Sequence, residues 1–526
     1  MSLVVLAGFV VFAFRRLLTY LHIYQQEEYD SRRFFHWLFT RRAFDVRATL
    51  LVALMGGLAV AGILAFAIAA VLVAVAFLAL AALERDPRTV SKKKLVMTAR
   101  AKRIYFTALA GLLAVGLVIA IPPLPLLVWI VAVQLIPVAL VFGNLLTSPY
   151  ENRIQQRYWT EAHTKLLSLK PLTIGITGSY GKTSTKHLLG HILEMQAPAL
   201  ITPGSVNTPM GIARVVREKL TSHHRFFICE MGAYGPGSIA RLCRLAPPDL
   251  GVITAIGMAH YERFKTLDTV AKTKFELAEA VAARRGTMIV AEQVLELEPA
   301  RAFCNRHKEN VLVVGAGPDS ALQLLSSGQT ETGIQAEVSW KGARYTLKAP
   351  IFGEHHISNM AIAFAAACSL GIWPEDAIVA LALVPQVSHR LELKTGPAGA
   401  RLIDDAYNSN PAGFASGLRL LNVLRRNGGR RILVTPGMVE LGSAHDEEHR
   451  KIGELAGSHV DVLLAVVPER IQAMTLAYNQ ANPEGLLISC PDFAAAQSWL
   501  DANVRQDDVV LVENDLPDLY EKKLRL

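Results

Sequence analysis

Thr177-Gly178-Ser179-Tyr180-Gly181-Lys182-Thr183-Ser184 (TGSYGKTS, residues 177–184) closes the β-rich run LTIGIT (172–177) and leads into KTSTKHLLGHILEM (182–195), whose apolar residues recur at helical spacing. A glycine-bearing turn between a strand and a helix N-terminus presents backbone N–H groups and the positive end of the helix dipole, which together hold phosphate. Gly178, Ser179, Tyr180, Gly181, Lys182, Thr183 and Ser184 are therefore the expected nucleotide-binding loop. Lys182 would reach the β- and γ-phosphates and the Thr183 hydroxyl would sit on magnesium. The commonest phosphate loop places four residues between its glycines; here Ser179 and Tyr180 alone separate Gly178 from Gly181.

Upstream of the loop the chain changes solvent. Its 526 residues exceed what one core serves, so two or three folding units are expected. Residues 48–83 carry no charge and are too long for one membrane crossing of roughly 20 residues, which predicts a pair of spans. A second pair is expected over 104–147, with Pro122-Pro123-Leu124-Pro125 at its turn. The start, LVVLAGFVVFAF interrupted by Arg15-Arg16, reads either as a fifth span with its arginines snorkelling or as an interfacial helix. Basic segments around Arg41-Arg42, Lys92-Lys93-Lys94 and Arg153 flank these runs and place the soluble part in the cytoplasm of a multi-pass inner-membrane protein. They also account for much of the net charge of +9 without nucleic acid as a partner. The confident spans contain no ionisable residue, which argues for an anchor or lipid platform over a transport path. Cys229, Cys243, Cys304, Cys368 and Cys490 lie far apart, without the spacing of a zinc site or a disulfide framework.

Downstream, RFFICEMGA (225–233) is an apolar strand ending in Glu230, where a carboxylate at a strand's C-terminal end can bind magnesium beside the loop. The loop spacing and this Glu-Met-Gly together resemble the Mur ligase family, ATP-dependent amide-forming enzymes of peptidoglycan synthesis. The resemblance continues in family order for about 340 residues. It implies that Glu230 binds magnesium, that His260 after the strand DLGVITAIG binds a second, and that a lysine on the following helix is carbamylated by carbon dioxide. The matching position is Lys274 rather than Lys272, and the two lie on different helix faces. A carbamate would turn a repelling ammonium into an oxygen ligand.

The same resemblance supplies further site residues. In GEHHISNMAIAF, with a helix expected from about Ile357, Asn359 would lie near adenine, although His356 replaces a family asparagine. Arg390 in SHRLELK would approach the nucleotide phosphates from the domain junction. LIDDAYNSNP (402–411) is close to the signature of the D-alanyl-D-alanine-adding branch; Asp405 would contact the ribose, with Tyr407, Asn408 and Asn410 toward substrate. Asn207 in NTPMGIARVV is a substrate-loop candidate or a polar turn. TPGMVELGSAHDEEHRKIGELA (435–456) is a further match, or a helix whose early acids suit its dipole.

Two departures stand out. The phosphate-loop domain begins almost directly after the last expected span, where the family has a UDP-binding domain. Leu511-Val512-Glu513-Asn514-Asp515 also replaces a family Leu-Val-Lys-Gly-Ser, which reads as an inverted charge near the incoming amine. The expected fold is an α-helical membrane domain (1–150), an α/β phosphate-loop central domain (151–388) and a Rossmann-like C-terminal domain (389–526). The expected activity is ATP-dependent ligation of an amino-acid or peptide amine to a carboxylate-bearing cell-wall precursor, lipid-linked in one reading, through an acyl phosphate. ATP, two magnesium ions, carbamylated Lys274 and membrane lipid are the implied cofactors and partners. A pseudomurein or polyglutamate ligase, or a membrane ATPase acting as sensor or transporter on a borrowed fold, are the alternatives.

Overall fold

The computed structural model describes residues 2–89, 94–122, 124–257, 264, 266–406, 409–439 and 441–514. Two compact units emerge, one built on Met1–Gln156 and the other on Arg157–Asp515. The division falls six residues beyond the expected boundary at 150, within one helix that runs from Trp129 to Leu169.

The first unit is helical: α1 (Ser2–Gln26), α2 (Ser31–Thr40), α3 (Val46–Val60), α4 (Phe66–Leu83), α5 (Ala99–Ala120) and α6 (Trp129–Leu169). Among the described residues, four helical segments, Ser2–Gln26, Phe66–Leu83, Ala99–Ala120 and Leu126–Leu169, are long and apolar enough to cross a membrane. The expected pair over 48–83 is uneven. Its first member, α3, has 15 residues, about 22 Å at 1.5 Å per residue and short of a hydrocarbon core of about 30 Å. Phe9, Phe12, Phe77 and Trp129 form an aromatic centre in which the Phe12 and Phe77 rings stack at 5.5 Å.

Arg16 does not snorkel. It is completely buried, with Nε 3.1 Å from Asp45 Oδ2 and Nη1 2.9 Å from Glu84 Oε1. Asp45 caps α3 by accepting from the Ala48 N–H at 2.8 Å, and Thr19 donates to Glu84 at 3.1 Å. One guanidinium thereby ties α1 to the start of α3 and the end of α4. Removing one partner of a buried ion pair leaves the others uncompensated, at a cost of about 3–5 kcal/mol. Arg16→Leu is therefore expected to lower the unfolding temperature in detergent sharply. Adding Asp45→Asn and Glu84→Gln to that variant should recover much of the loss, and no recovery would refute an electrostatic clasp.

The second unit opens with the last turns of α6, where Ala162 and Leu166 join the core and His163 Nδ1 pairs with the Leu245 carbonyl at 3.0 Å. Its first sheet runs in the order β2-β3-β1-β4-β5-β6-β7-β8-β9. The strands are β1 (Leu172–Thr177), β2 (Ala199–Ile201), β3 (Phe226–Glu230), β4 (Leu250–Ile253), β5 (Thr287–Ala291), β6 (Val311–Gly315), β7 (Leu322–Thr330), β8 (Gly333–Trp340) and β9 (Ala343–Ala349). It is parallel from β2 to β7 and antiparallel across β7, β8 and β9. Its helices are α7 (Lys182–Glu194), α8 (Pro209–Lys219), α9 (Ser238–Leu245), α10 (Leu267–Ala283), α11 (Glu298–Arg306), α12 (His355–Ser369) and α13 (Pro374–Ala382). The alanine-rich α12, buried from Met360 to Ala367, begins two residues before the expected Ile357, because His355 and His356 form its first turn.

The second sheet, order β10-β11-β15-β12-β13-β14, joins β10 (Glu392–Thr395), β11 (Arg401–Asp405), β12 (Arg431–Thr435), β13 (Val462–Val466), β14 (Leu486–Cys490) and β15 (Val509–Glu513). Every pair is parallel except β10 with β11. Helices α14 (Pro411–Leu424), α15 (His445–His459), α16 (Gln472–Ala481) and α17 (Phe493–Asn503) complete it. The five cysteines are buried and free.

Candidate active site

The phosphate loop is held from the neighbouring strand. Ser179 N–H donates to the Ala255 carbonyl at 2.5 Å, the Gly257 N–H donates to Ser179 Oγ at 3.0 Å, and the Thr254 hydroxyl donates to the Tyr180 carbonyl at 2.5 Å. Glycine is required twice. A Cβ on Gly178 would lie 1.9 Å from the Thr254 hydroxyl. Gly181, the N-cap of α7, has φ +82°, and a Cβ there would lie 2.3 Å from Asn359 Oδ1. Gly181→Ala is expected to cost about 1–2 kcal/mol in backbone strain and to displace Asn359. The KM for ATP should rise about tenfold or more, as such a free energy lost in binding implies. An unchanged KM would show that the loop tolerates the side chain.

Lys182 Nζ folds back over the loop, donating to the Gly178 and Ser179 carbonyls at 2.7 and 3.2 Å. Burial pushes its pKa below the ordinary lysine value; Glu230 opposes the shift, while Arg390 and Lys186 add to it. Three cations thus converge on one helix N-terminus, the electrostatic signature of a polyphosphate site.

Beside them, Glu230 ends β3 almost completely buried. Its Oε2 accepts from the Thr183 hydroxyl at 2.9 Å and from Lys186 Nζ at 3.2 Å, and its Oε1 accepts from Asn207 Nδ2 at 3.3 Å. The Tyr234 hydroxyl donates to Asn207 Oδ1 at 2.9 Å, holding that amide toward Glu230. A hydroxyl and a carboxylate facing one another at the loop form an oxygen donor set that fits a hard divalent cation such as magnesium. Lys186 escaped the sequence reading. Its signal was its place one helical turn after Lys182, on the same face.

Lys274 is buried on α10, whereas Lys272 is exposed. Burial and then repulsion by Lys182 push its amine well below the ordinary lysine pKa, so both effects disfavour the charged form. His260 lies outside the described residues.

Arg390, just before β10, and Asp405, at the end of β11, belong to the same electrostatic neighbourhood: Arg390 lowers the proton affinity of Lys182, Lys186, His355, His356 and Asp405. Asn359 is buried beneath the loop, where Oδ1 accepts from the Thr185 hydroxyl at 3.3 Å and Nδ2 meets His356 Nδ1 at 3.1 Å. His355 is pushed down to about 4 by burial, with Arg390 and Arg419 adding to the shift. Asn410 caps α14, its Oδ1 accepting from the Gly413 N–H at 3.0 Å. Tyr407 and Asn408 lie outside the described residues, as does Asp515. In the 435–456 stretch the buried His449 accepts from the Met438 N–H at 2.9 Å, a structural tie between the loop after β12 and α15.

Glu513 corrects the inverted charge expected from the sequence. It is fully buried, its Oε1 accepts from the Ser409 hydroxyl at 2.5 Å, and burial followed by the Asp405 charge raises its pKa well above the usual carboxylate value. The position presents a shielded acid group rather than an exposed anion.

Residues 176–367 match the Mur ligase middle domain and residues 389–513 the Mur ligase glutamate ligase domain. The UDP-N-acetylmuramoyl-tripeptide–D-alanyl-D-alanine ligase of Mycobacterium leprae is 32% identical over 369 residues, covering 65% of this chain and 70% of that protein. The enzyme of the same name from Bacillus subtilis is 30% identical over 292 residues, covering 56% and 62%. MurF from Thermotoga maritima in complex with ADP aligns with a TM-score of 0.58 at 25% identity, covering 69% of this chain and 80% of that one. MurF from Acinetobacter baumannii shares the fold, with a TM-score of 0.60 at 23% identity over 70% and 78%. With the two family domains matched in order on its two sheets, the chain belongs to the Mur ligase family and is a MurF-like, ATP-dependent ligase of peptidoglycan synthesis.

Proposed function

We propose that this ligase works at the membrane, joining an amine to the carboxylate of a lipid-linked cell-wall precursor through an acyl phosphate. The observation that carries the chemistry is the convergence of Lys182, Lys186 and Arg390 beside the Thr183 and Glu230 oxygens. A substrate carboxylate oxygen attacks the γ-phosphorus and the bond to the β-γ bridging oxygen breaks, leaving ADP. The amine then attacks the acyl carbon, phosphate departs, and the amine's proton passes to solvent or a nearby base. Lys182 moves from the loop carbonyls onto the transferring phosphoryl group and stabilises its charge. Thr183 and Glu230 would hold one magnesium ion, and His260 with a carbamylated Lys274 would hold a second; when bound, these ions would supply further neutralisation of the phosphate oxygens. In this reading Asn359, Arg390 and Asp405 serve the nucleotide, while Asn207, Tyr407, Asn408 and Asn410 are the residues assigned to the substrates.

The membrane reading is supported by apolar side chains left uncovered on α4, among them Phe66, Ile68, Val71, Val75 and Leu78. A continuous apolar face of this kind suits lipid. The basic segments flanking the apolar runs favour a cytoplasmic catalytic unit, where ATP is available. The relatives' names specify a UDP-linked tripeptide and D-alanyl-D-alanine, which makes that pair the reference substrates. The test is ADP release by the full-length protein in detergent with either a UDP-linked or a lipid-linked peptide as carboxylate and a panel of amines. Preference for the lipid-linked form is expected. Equal use of the UDP-linked form would end the lipid-carrier reading while leaving the ligase intact.

A further inference from the structure

Glu513 ends β15 in register with Asp405 at the end of β11, at the C-terminal edge of a parallel sheet where ligands bind. The sheet and α14 seal this corner: Glu513 is wholly buried and Asp405 only 6% exposed. Ser409 satisfies one Glu513 oxygen. Among the described residues no N–H or O–H donates to the other, Oε2, which lies toward the α14 backbone at Gly417. Asp405 Oδ1 accepts from the Leu391 N–H at 3.3 Å.

Two adjoining carboxyl groups buried this deeply cannot both ionise. An oxygen with no donor near it is where a proton must remain, because a bare charge there would be unsatisfied. Burial raises Asp405 to about 6 against the pull of Arg390, and burial with the Asp405 charge raises Glu513 well above its usual value. Among the described residues the other charged groups acting on the pair are Arg390 and Asp404.

We propose that Glu513 holds the proton of a shared carboxyl–carboxylate pair and thereby positions Asp405 to accept a hydrogen bond from the bound nucleotide; this rests on the reading of Asp405 as a nucleotide contact. With one proton in place the pair carries a single negative charge and makes a smaller electrostatic claim on Arg390. When the proton leaves, two charges claim Arg390 and face an anionic ligand, so nucleotide affinity falls as pH rises. Glu513 is a positioning residue, acting through Asp405.

The test is the dissociation constant for ADP and the KM for ATP of the full-length protein in detergent, from about pH 6.5 to 9.5, for wild type, Glu513→Gln and Asp405→Asn. In the wild type the KM should rise about fivefold or more along the alkaline arm, with a much smaller change in kcat at saturating ATP. Glu513→Gln, whose amide donates to Asp405 and cannot ionise, should keep the acid-side KM throughout. A flat wild-type profile overturns the proposal. So does an equal alkaline rise in Glu513→Gln, which would assign the titration to another group such as Lys182. Asp405→Asn with unchanged affinity at every pH would remove the nucleotide reading beneath the proposal. Weakened binding in that variant, beside an unaltered Glu513→Gln slope, would remove only the proton-holding role. Should Glu513→Gln fail to fold, the infrared carbonyl band of a buried protonated carboxyl in the neutral wild-type protein decides, and its absence overturns the proposal.

Discussion

Lys182→Met is expected to lower kcat for amide formation by about a thousandfold, as loss of a buried group aimed at developing charge does, while weakening nucleotide binding far less. Methionine keeps the stem and removes the ammonium, so the loop retains its packing. The same substitution should leave the unfolding temperature unchanged or raise it. Lys182 binds its proton more weakly in the folded chain than in the unfolded one, because burial and the nearby Arg390 and Lys186 oppose its charge. A base with a depressed folded pKa destabilises the fold below that pKa. The penalty is relieved as pH climbs toward the ordinary lysine value of 10.5. The wild type should therefore gain stability between neutral and alkaline pH, and Lys182→Met should flatten that gain. Activity lost together with a large fall in unfolding temperature would make Lys182 a structural residue and sink the catalytic assignment. ADP release, product formation and thermal denaturation on one preparation decide it.

These contrasts mark what the sequence could reveal. The phosphate loop was legible because its chemistry is local: strand, glycines, lysine and helix start lie within a dozen residues, and φ at Gly181 follows from the turn. The apolar runs were legible because length and absence of charge are properties of a segment. Arg16 was misread because an arginine in an apolar helix has two fates, reaching water or meeting acids. The acids that decide, Asp45 and Glu84, arrive from distant segments. Glu513 was misread for a related reason: its letter carries a charge, but its ionisation depends on burial, which β11, β15 and α14 create together. Lys186 was visible at the right spacing, yet its meaning depended on Glu230 from another strand.

Lys274→Ala is expected to cost a similar factor, about a thousandfold, and its pattern of rescue would separate a carbamate from a simple ammonium. The amine lies buried near Lys182, and both burial and that neighbour favour its neutral form. A neutral amine is the form that attacks carbon dioxide: its nitrogen bonds to carbon, a proton leaves to solvent, and an anionic carbamate remains beside Lys182. The conversion would remove the repulsion between two cations and add oxygen donors near Lys182. Stripping carbon dioxide from buffers should then reduce wild-type ligation severalfold, with bicarbonate restoring it. Lys274→Ala should ignore bicarbonate but respond to a small carboxylate such as acetate entering the vacated space. Carbon-13 bicarbonate should give a carbamate resonance in the wild type that the variant lacks. Wild-type activity indifferent to carbon dioxide, together with no such resonance, would leave Lys274 an unmodified buried amine. Its role would then be to carry phosphate charge alongside Lys182, and the Lys274→Ala defect would respond to small amines instead of acetate.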